Sequence, residues 1–350
     1  MTDVEPTQAG SSLVSDSDVP WNLGDPFAEQ RELLREEAHV NLGHFGVVRV
    51  TGKDRLAWLH LLLTQAVADL PAGHSAHALV LSATGHIEHD VKLVDDAAAT
   101  WLIVEPGTTS ALCSYLQSMV FMYDIAIADV SASYAVVGAL MTNPTNDGAR
   151  NRFPDALAFW CAPAALATPQ SDADPYVPQR PAAWPAVLAI VPRDGVSHSG
   201  AAAGLWAWEA ARVAAGVPRL GIDIDHRTLP HEVGLIGSAV HLHKGCYRGQ
   251  EAVARTINLG RPPRRLVLLH LDGTTEDLPT PGAAVMDSAG RDVGHLGSAL
   301  AHHENGHIAL ALVRRNTPID ATLHITLASG TTVQASQEPI VIIGDHARST

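Results

Sequence analysis

After Pro262-Pro263 the chain never returns to a helical period, and this constrains its fold more than any other feature of the sequence. Short segments with apolar residues at alternate positions follow one another at 266–271, 283–286, 294–300, 307–313, 322–327 and 331–335. Asp272-Gly273, Asn305-Gly306 and Ser329-Gly330 supply turns between them. Alternation buries one face of each strand, and short strands with open edges are protected when the sheet closes on itself. A small antiparallel β-barrel is therefore expected at the C-terminal end.

Upstream, the period switches back and forth. Residues 46–51 read as a strand, and Asp54 is placed to cap a helix whose Leu56, Leu59 and Leu63 share a face. Strands follow at 78–82 and 86–94. In the second of these, Ile87, His89, Val91 and Leu93 are expected on one face and Glu88, Asp90 and Lys92 on the other. A strand at 100–104, a helix at 108–119 and strands at 124–130 and 134–140 complete this part. The elements mix without βαβ repetition, which makes the fold class α+β. Eight prolines between Pro144 and Pro185 describe a loop-rich crossover, with short strands at 156–161 and 187–191. A helix over 204–215 is stopped by Gly216 and Pro218. The expected division is an unstructured acidic tail over 1–30, a first α+β unit over 31–142, a second over 143–261, and the barrel over 262–345.

Charge excludes some functions. The net charge is −14, from 23 basic and 37 acidic residues, so a phosphate backbone is repelled and no direct nucleic-acid partner is expected. No apolar run approaches the roughly 20 residues of a membrane span. The first Lys or Arg is Arg31, and residues 1–20 are Ser/Asp-rich without an apolar block, which points to a cytoplasmic protein, expected to be a monomer. Cys113, Cys161 and Cys246 are widely spaced and contain no C-x-x-C pair, so a disulfide framework is not expected. His241-x-His243 and His302-His303 lack Cys or carboxylate partners at a metal-binding spacing, and no metal is expected.

The densest chemistry lies in Lys244-Gly245-Cys246-Tyr247-Arg248-Gly249-Gln250-Glu251, which leads into a helix starting near Gly249. Glycines flank the cysteine on both sides. A tight turn beside a helix N-terminus, with Lys244 and Arg248 nearby, would favour thiolate over thiol. The alternative, that Cys246 packs as a small apolar residue while the cations face solvent, stays open on spacing alone.

This octapeptide is similar to the K-G-C-Y-x-G-Q-E signature of the YgfZ family. Gly216-Val-Pro-Arg-Leu-Gly221, Thr228-Leu-Pro-His-Glu232, Val50-Thr-Gly-Lys-Asp-Arg-Leu-Ala-Trp-Leu59, Leu63-Thr-Gln65 and Leu81-Ser-Ala-Thr-Gly-His-Ile87 resemble the same proteins in order, over about residues 40–340. The resemblance implies a three-domain ring around a folate-sized channel, as in glycine-cleavage aminomethyltransferases. It also implies tetrahydrofolate or a derivative as cofactor, and a role in supporting iron–sulfur enzymes, tRNA-thiolating ones included, or their assembly proteins. On that basis His89, Glu209, Arg212, Lys244, Tyr247 and Arg248 are expected at the folate, and Cys246 and Asp90 are the candidates for chemistry. One pocket reached by the 86–90 strand, the Glu209–Arg212 helix turn and the Cys246 segment is expected. The basic residues Arg261, Arg264 and Arg265 are further candidates for a carboxylate tail.

Two departures stand out. Aminomethyltransferases carry G-G-x-x-D-D, whereas this chain has Gly85-His86-Ile87-Glu88-His89-Asp90, with His89 at the first carboxylate position. The usual R-x-E-A-G becomes Arg212-Val-Ala-Ala-Gly216, with Ala214 in place of Glu and Glu209 one turn earlier as a substitute. These changes favour a folate-binding accessory protein. The alternatives are a tetrahydrofolate-dependent aminomethyl or one-carbon transferase that uses Asp90 or Glu88, and a non-catalytic scaffold with a vestigial cleft.

Overall fold

Strand alternation and helix caps sort the chain into two five-stranded sheets and a barrel. A computed structural model describes residues 19–164, 182–196, 201–259 and 262–341. The first 18 residues of the expected tail, Arg261, and Pro169, Pro175, Pro178 and Pro181 lie outside the described residues. The chain is packed well before residue 30, the expected tail boundary. Val19 is buried, and Asp25 accepts from the Phe27 and Ala28 amides to cap helix α1 (Pro26–Leu34), which has Pro at its first position. Buried Glu29 accepts from the amides of Leu23, Gly24 and Gly204, tying α1 to a helix start 175 residues away.

After β1 (Ala38–Asn41) come β2 (Gly46–Thr51), α2 (Arg55–Leu62), β3 (Ser75–Leu81), β4 (Ile87–Asp95), β5 (Ala99–Val104), α3 (Thr109–Ser118), β6 (Ala126–Asp129) and β7 (Tyr134–Leu140). Then follow α4 (Asn146–Arg152), β8 (Ala158–Cys161), β9 (Ala186–Pro192), β10 (Ala201–Ala203), α5 (Leu205–Ala214) and α6 (Gln250–Leu259). One sheet runs β3-β4-β5-β2-β6, the other β10-β1-β7-β9-β8. The expected boundary near residue 142 is therefore corrected: β1 and β7 hydrogen-bond into the later sheet, so the chain enters that sheet, leaves to build the other, and returns. Asp54 does not cap α2; its carboxylate accepts from the Asp124 amide and pins the far end of α3's loop.

The expected faces of β4 are also corrected. Val80 pairs with His89 but Leu81 pairs with Ile87, so Glu88 is an extra residue in a β-bulge. The bulge turns Ile87 to the side of Leu79, Leu81 and Val94, away from Val91 and Leu93. Helices α2 and α3 cover that second side through Trp58, Leu59, Leu112 and Leu116.

The C-terminal strands are β11 (Arg264–Leu271), β12 (Ala284–Met286), β13 (Asp292–His302), β14 (Gly306–Arg314), β15 (Leu323–Thr326) and β16 (Thr332–Pro339). They close as a barrel in the order β11-β14-β13-β12-β15-β16, with antiparallel β11–β16 pairing sealing the ring. This is the expected barrel. A bulge in β13 between Leu296 and Ala299 frees the Ser298 amide to donate to Asp223, at 2.7 Å. A Cβ at Gly297 would fall 2.3 Å from that carboxylate, so the barrel docks through a glycine. No described helix is long and apolar enough to cross a membrane.

Gly249, at φ +86°, is the hinge between the cysteine motif and α6. A Cβ there would lie 2.5 Å from the Ser82 carbonyl oxygen in the β3–β4 turn. Gly249→Ala is expected to cost about 1–3 kcal/mol, measured by urea unfolding, because it adds left-handed strain to a backbone collision; an unchanged midpoint would mean that the turn yields freely.

Candidate functional site

Four of the expected site residues sit in the motif turn, and their surroundings separate them. The Lys244 side chain points inward and its ammonium donates to the carbonyl oxygens of His60, Leu63 and Gln65, the last two at 2.6 and 3.2 Å. It thereby satisfies carbonyls at the C-terminal end of α2. Burial lowers its pKa to about 8. Tyr247 is buried beneath it, with the ammonium 5.4 Å from the ring centre, and burial pushes the phenol up to about 12. Arg248 reaches across to Glu88 at 2.7 Å. Both cations expected to act on the thiol are thus engaged elsewhere, and exposure is what distinguishes Cys246 among the three free cysteines.

A cleft of about 720 Å³ opens where β4, the start of α3, the 220–226 segment and the barrel meet. Its wall includes Glu88 and His89 of the bulge, Asp225, and His295 and Leu296 of β13. His89 is only 9% exposed, its ring 6.4 Å from that of Tyr115, and burial lowers its pKa, outweighing a nearby Glu88. Burial and then Arg264 lower His295 likewise. Of the two β4 carboxylates, Glu88 is in the cleft wall and Asp90 is on the other face. It accepts from His77 at 2.8 Å and Lys92 at 3.1 Å; burial would raise its pKa, but these partners hold it well below the carboxylate range.

Asp90 begins a chain of buried charges. Lys92 also approaches Glu105, which pairs with Arg219 at 2.8 Å. Arg219 binds Glu209 at 2.9 Å, Glu209 binds Arg212 at 2.6 Å, and Arg212 binds Asp223 at 2.8 Å. Arg212 finally donates to the Ser298 hydroxyl in the barrel. Burial favours a neutral Glu209, yet Arg212 and Arg219 prevail and hold it at about 2. Both Glu209 oxygens are already taken, and Glu209 is completely buried.

Neither the cleft nor a second, smaller cavity brings the three expected elements together. Of these elements, β4 lines the cleft, whereas Arg212 borders the second cavity, of about 30 Å³, beside Trp160, Trp184 and Trp208, and Cys246 borders neither. Asp223 joins the two regions, because it lines the cleft while binding Arg212. Ala214 is buried in the main apolar cluster. The candidate tail receptors are committed too: Arg264 grips Glu232 with two nitrogens at 2.9 Å, and Arg265 donates to Thr317 and Gln337. The 220–226 segment and the barrel wall were missed as cleft residues; the Ile222-Asp223-Ile224-Asp225 alternation was their available signal.

Comparison with known proteins places this geometry. Residues 264–340 match the family described as CAF17, C-terminal beta-barrel domain. A chloroplastic Arabidopsis thaliana protein, provisionally named a transferase, is 25% identical over 79% of this chain, and the match spans 65% of that protein's own length. The aminomethyltransferase of Thermotoga maritima is 23% identical over 91% of this chain and 89% of its own. The crystal structure of glycine cleavage system aminomethyltransferase T from Bartonella henselae superposes with a TM-score of 0.66, covering 88% of this chain and 87% of that one at 18% identity. The fold is thus that of the aminomethyltransferases, with a CAF17-type barrel at its end.

Two outcomes follow from the site's burial pattern. Under brief iodoacetamide exposure at neutral pH, peptide mapping should find Cys246 alkylated first, since burial raises the Cys161 thiol to about 11 and burial with Asp129 raises Cys113. Faster reaction at Cys113 would contradict this order. The carboxyl of Glu209 is depressed on folding, so its stabilisation is present above about pH 4.5 and is lost as pH falls toward about 2. Glu209→Gln, which leaves two buried guanidinium groups undercompensated, should cost about 3–5 kcal/mol in urea unfolding at pH 7, and the gap from wild type should narrow by pH 3. A gap independent of pH would mean that Glu209 does not carry the charge.

Proposed function

We propose that this protein binds tetrahydrofolate or a derivative in the 720 Å³ cleft and acts as an accessory factor for iron–sulfur enzymes, tRNA-thiolating ones included, rather than as an aminomethyltransferase. The observation that carries the non-catalytic part is the bulge at Glu88: it gives the cleft wall a buried imidazole, while Asp90 is locked to Lys92 and His77 on the opposite face. A carboxylate acting on a folate nitrogen must face the ligand with a free oxygen. Asp90 does neither.

The cleft fits a folate in size, within the usual 300–1,000 Å³ of small-molecule sites, and the His89 imidazole in its wall has no hydrogen bond to any described residue. His89, Asp225 and His295 would hold the ligand, with the Glu88–Arg248 pair at the edge of the wall. A bound reduced folate would supply a one-carbon carrier. The iron–sulfur role draws its support from the likeness of the Lys244–Glu251 octapeptide to the YgfZ signature, from the CAF17-type barrel, and from the exposed thiol within that octapeptide. The aminomethyltransferases support a folate ligand on the strength of fold and length covered.

Calorimetric titration should give micromolar binding of 5-formyltetrahydrofolate, with no turnover of an aminomethylated carrier or methylamine donor. Turnover would establish the transferase alternative, with Glu88 the carboxylate nearest the ligand. Absence of binding would leave the scaffold alternative. Cys246→Ser should keep the unfolding midpoint within about 0.5 kcal/mol, as expected for an exposed near-isostere, while iron–sulfur occupancy falls in cells that depend on the variant. Full occupancy would remove the thiol from the proposed role.

A further inference from the structure

The wall of the cleft carries an imidazole whose two nitrogens are in different surroundings. His89 Nδ1 is buried with no hydrogen-bond partner, on a side chain that is itself 9% exposed. Nε2 is not among the buried unpartnered atoms, and no group among the described residues bonds to it, which leaves it the nitrogen open to the cleft that His89 lines. A neutral imidazole has one N–H to place. On Nδ1 that proton would be a donor sealed away from every acceptor, among the costliest arrangements a folded chain can contain. On Nε2 it meets the cleft. Hydrogen-bond satisfaction thus assigns the Nε2–H tautomer, with Nδ1 as the bare lone pair.

We infer that His89 is a specificity-determining residue that inverts the hydrogen-bond polarity of the cleft wall. It offers a donor, Nε2–H, and thereby selects ligands that present an acceptor oxygen over those that present a ring N–H. A carboxylate at this position would do the opposite, accepting from an N–H and repelling an oxygen. Neighbouring groups agree with this assignment. Glu88 is turned toward Arg248, whose guanidinium donates to its Oε2 at 2.7 Å, and Asp225 Oδ1 accepts from the Thr228 hydroxyl and the Arg227 amide. Both carboxylates thus already have donors of their own among the described residues, and Nε2–H is a donor in the wall that no described acceptor takes up. Burial, which lowers the His89 pKa, keeps the ring in the neutral form that this tautomer requires.

The inference rests on the folate reading above and names the ligand class within it: N5-acylated reduced folates, whose formyl oxygen accepts, in preference to tetrahydrofolate, whose N5–H donates. The test is calorimetric titration of the full chain with both compounds, using three proteins. Wild type should bind 5-formyltetrahydrofolate about tenfold more tightly than tetrahydrofolate, the discrimination one hydrogen bond of reversed polarity provides. His89→Gln keeps an N–H near the Nε2 position and should keep the preference. His89→Met fills the same space without a donor and should bind both compounds within about twofold of each other. Circular dichroism melting of each variant identifies one that has not folded, and the wild-type ratio then decides alone. Equal binding of both compounds by wild type, or a preference that survives in His89→Met, overturns the inference while leaving folate binding intact. Binding of neither compound overturns the folate reading, and this inference with it.

Discussion

The buried chain of charges from Asp90 to Asp223 is the interaction on which the arrangement of the three parts depends. Its members come from β4, from the end of β5, from α5 and from the segment after α5, and its last guanidinium reaches Ser298 in the barrel. Desolvating so many charges cancels much of what their attraction returns, so such a chain adds little net stability. It does specify geometry. An ion deprived of its partner in the interior is far more costly than a misplaced apolar contact, so the two sheets and the barrel have one relative placement in which every charge is met. That placement is what leaves the cleft open between them.

The same network takes one of the β4 carboxylates out of the cleft. Strand β4 carries carboxylates at adjacent functional positions, but the bulge at Glu88 directs them apart: Asp90 into the charge chain, Glu88 toward Arg248. Between them His89 takes the wall position with a neutral ring. One extra residue in one strand therefore decides which side chains face the cleft. The motif turn is built with similar economy. Lys244 anchors it to the end of α2 and Gly249 lets it lie against the β3–β4 turn, so Cys246 is held at the surface on a rigid support.

How much of this was legible in the sequence follows from which forces are local. The barrel was readable because each strand buries one face and is bounded by turn dipeptides. Strand β4 was readable as a strand but not in its faces, because both are buried and a bulge leaves no trace in hydrophobic alternation. α1, β1, β10 and α4 were missed: α1 was counted largely in the expected tail, β1 and β10 are strands of four and three residues, and α4 is a polar helix in a proline-rich region. Exposure of Cys246 agreed with its flanking glycines. The role of Lys244 could not be read, since its acceptors lie about 180 residues earlier in the chain. Likewise Glu209 and Arg212 looked like ligand-facing residues until Arg219 and Asp223 supplied their partners.

The most direct test is a crystal structure of the protein with 5-formyltetrahydrofolate. The pterin should lie in the cleft between His89 and the barrel, its formyl oxygen within hydrogen-bond distance of His89 Nε2, with the Glu209–Arg219 and Asp90–Lys92 pairs unbroken. A pterin inserted instead beside Trp160, Trp184 and Trp208, with Glu209 or Arg212 drawn out of the charge chain to meet it, would contradict the account.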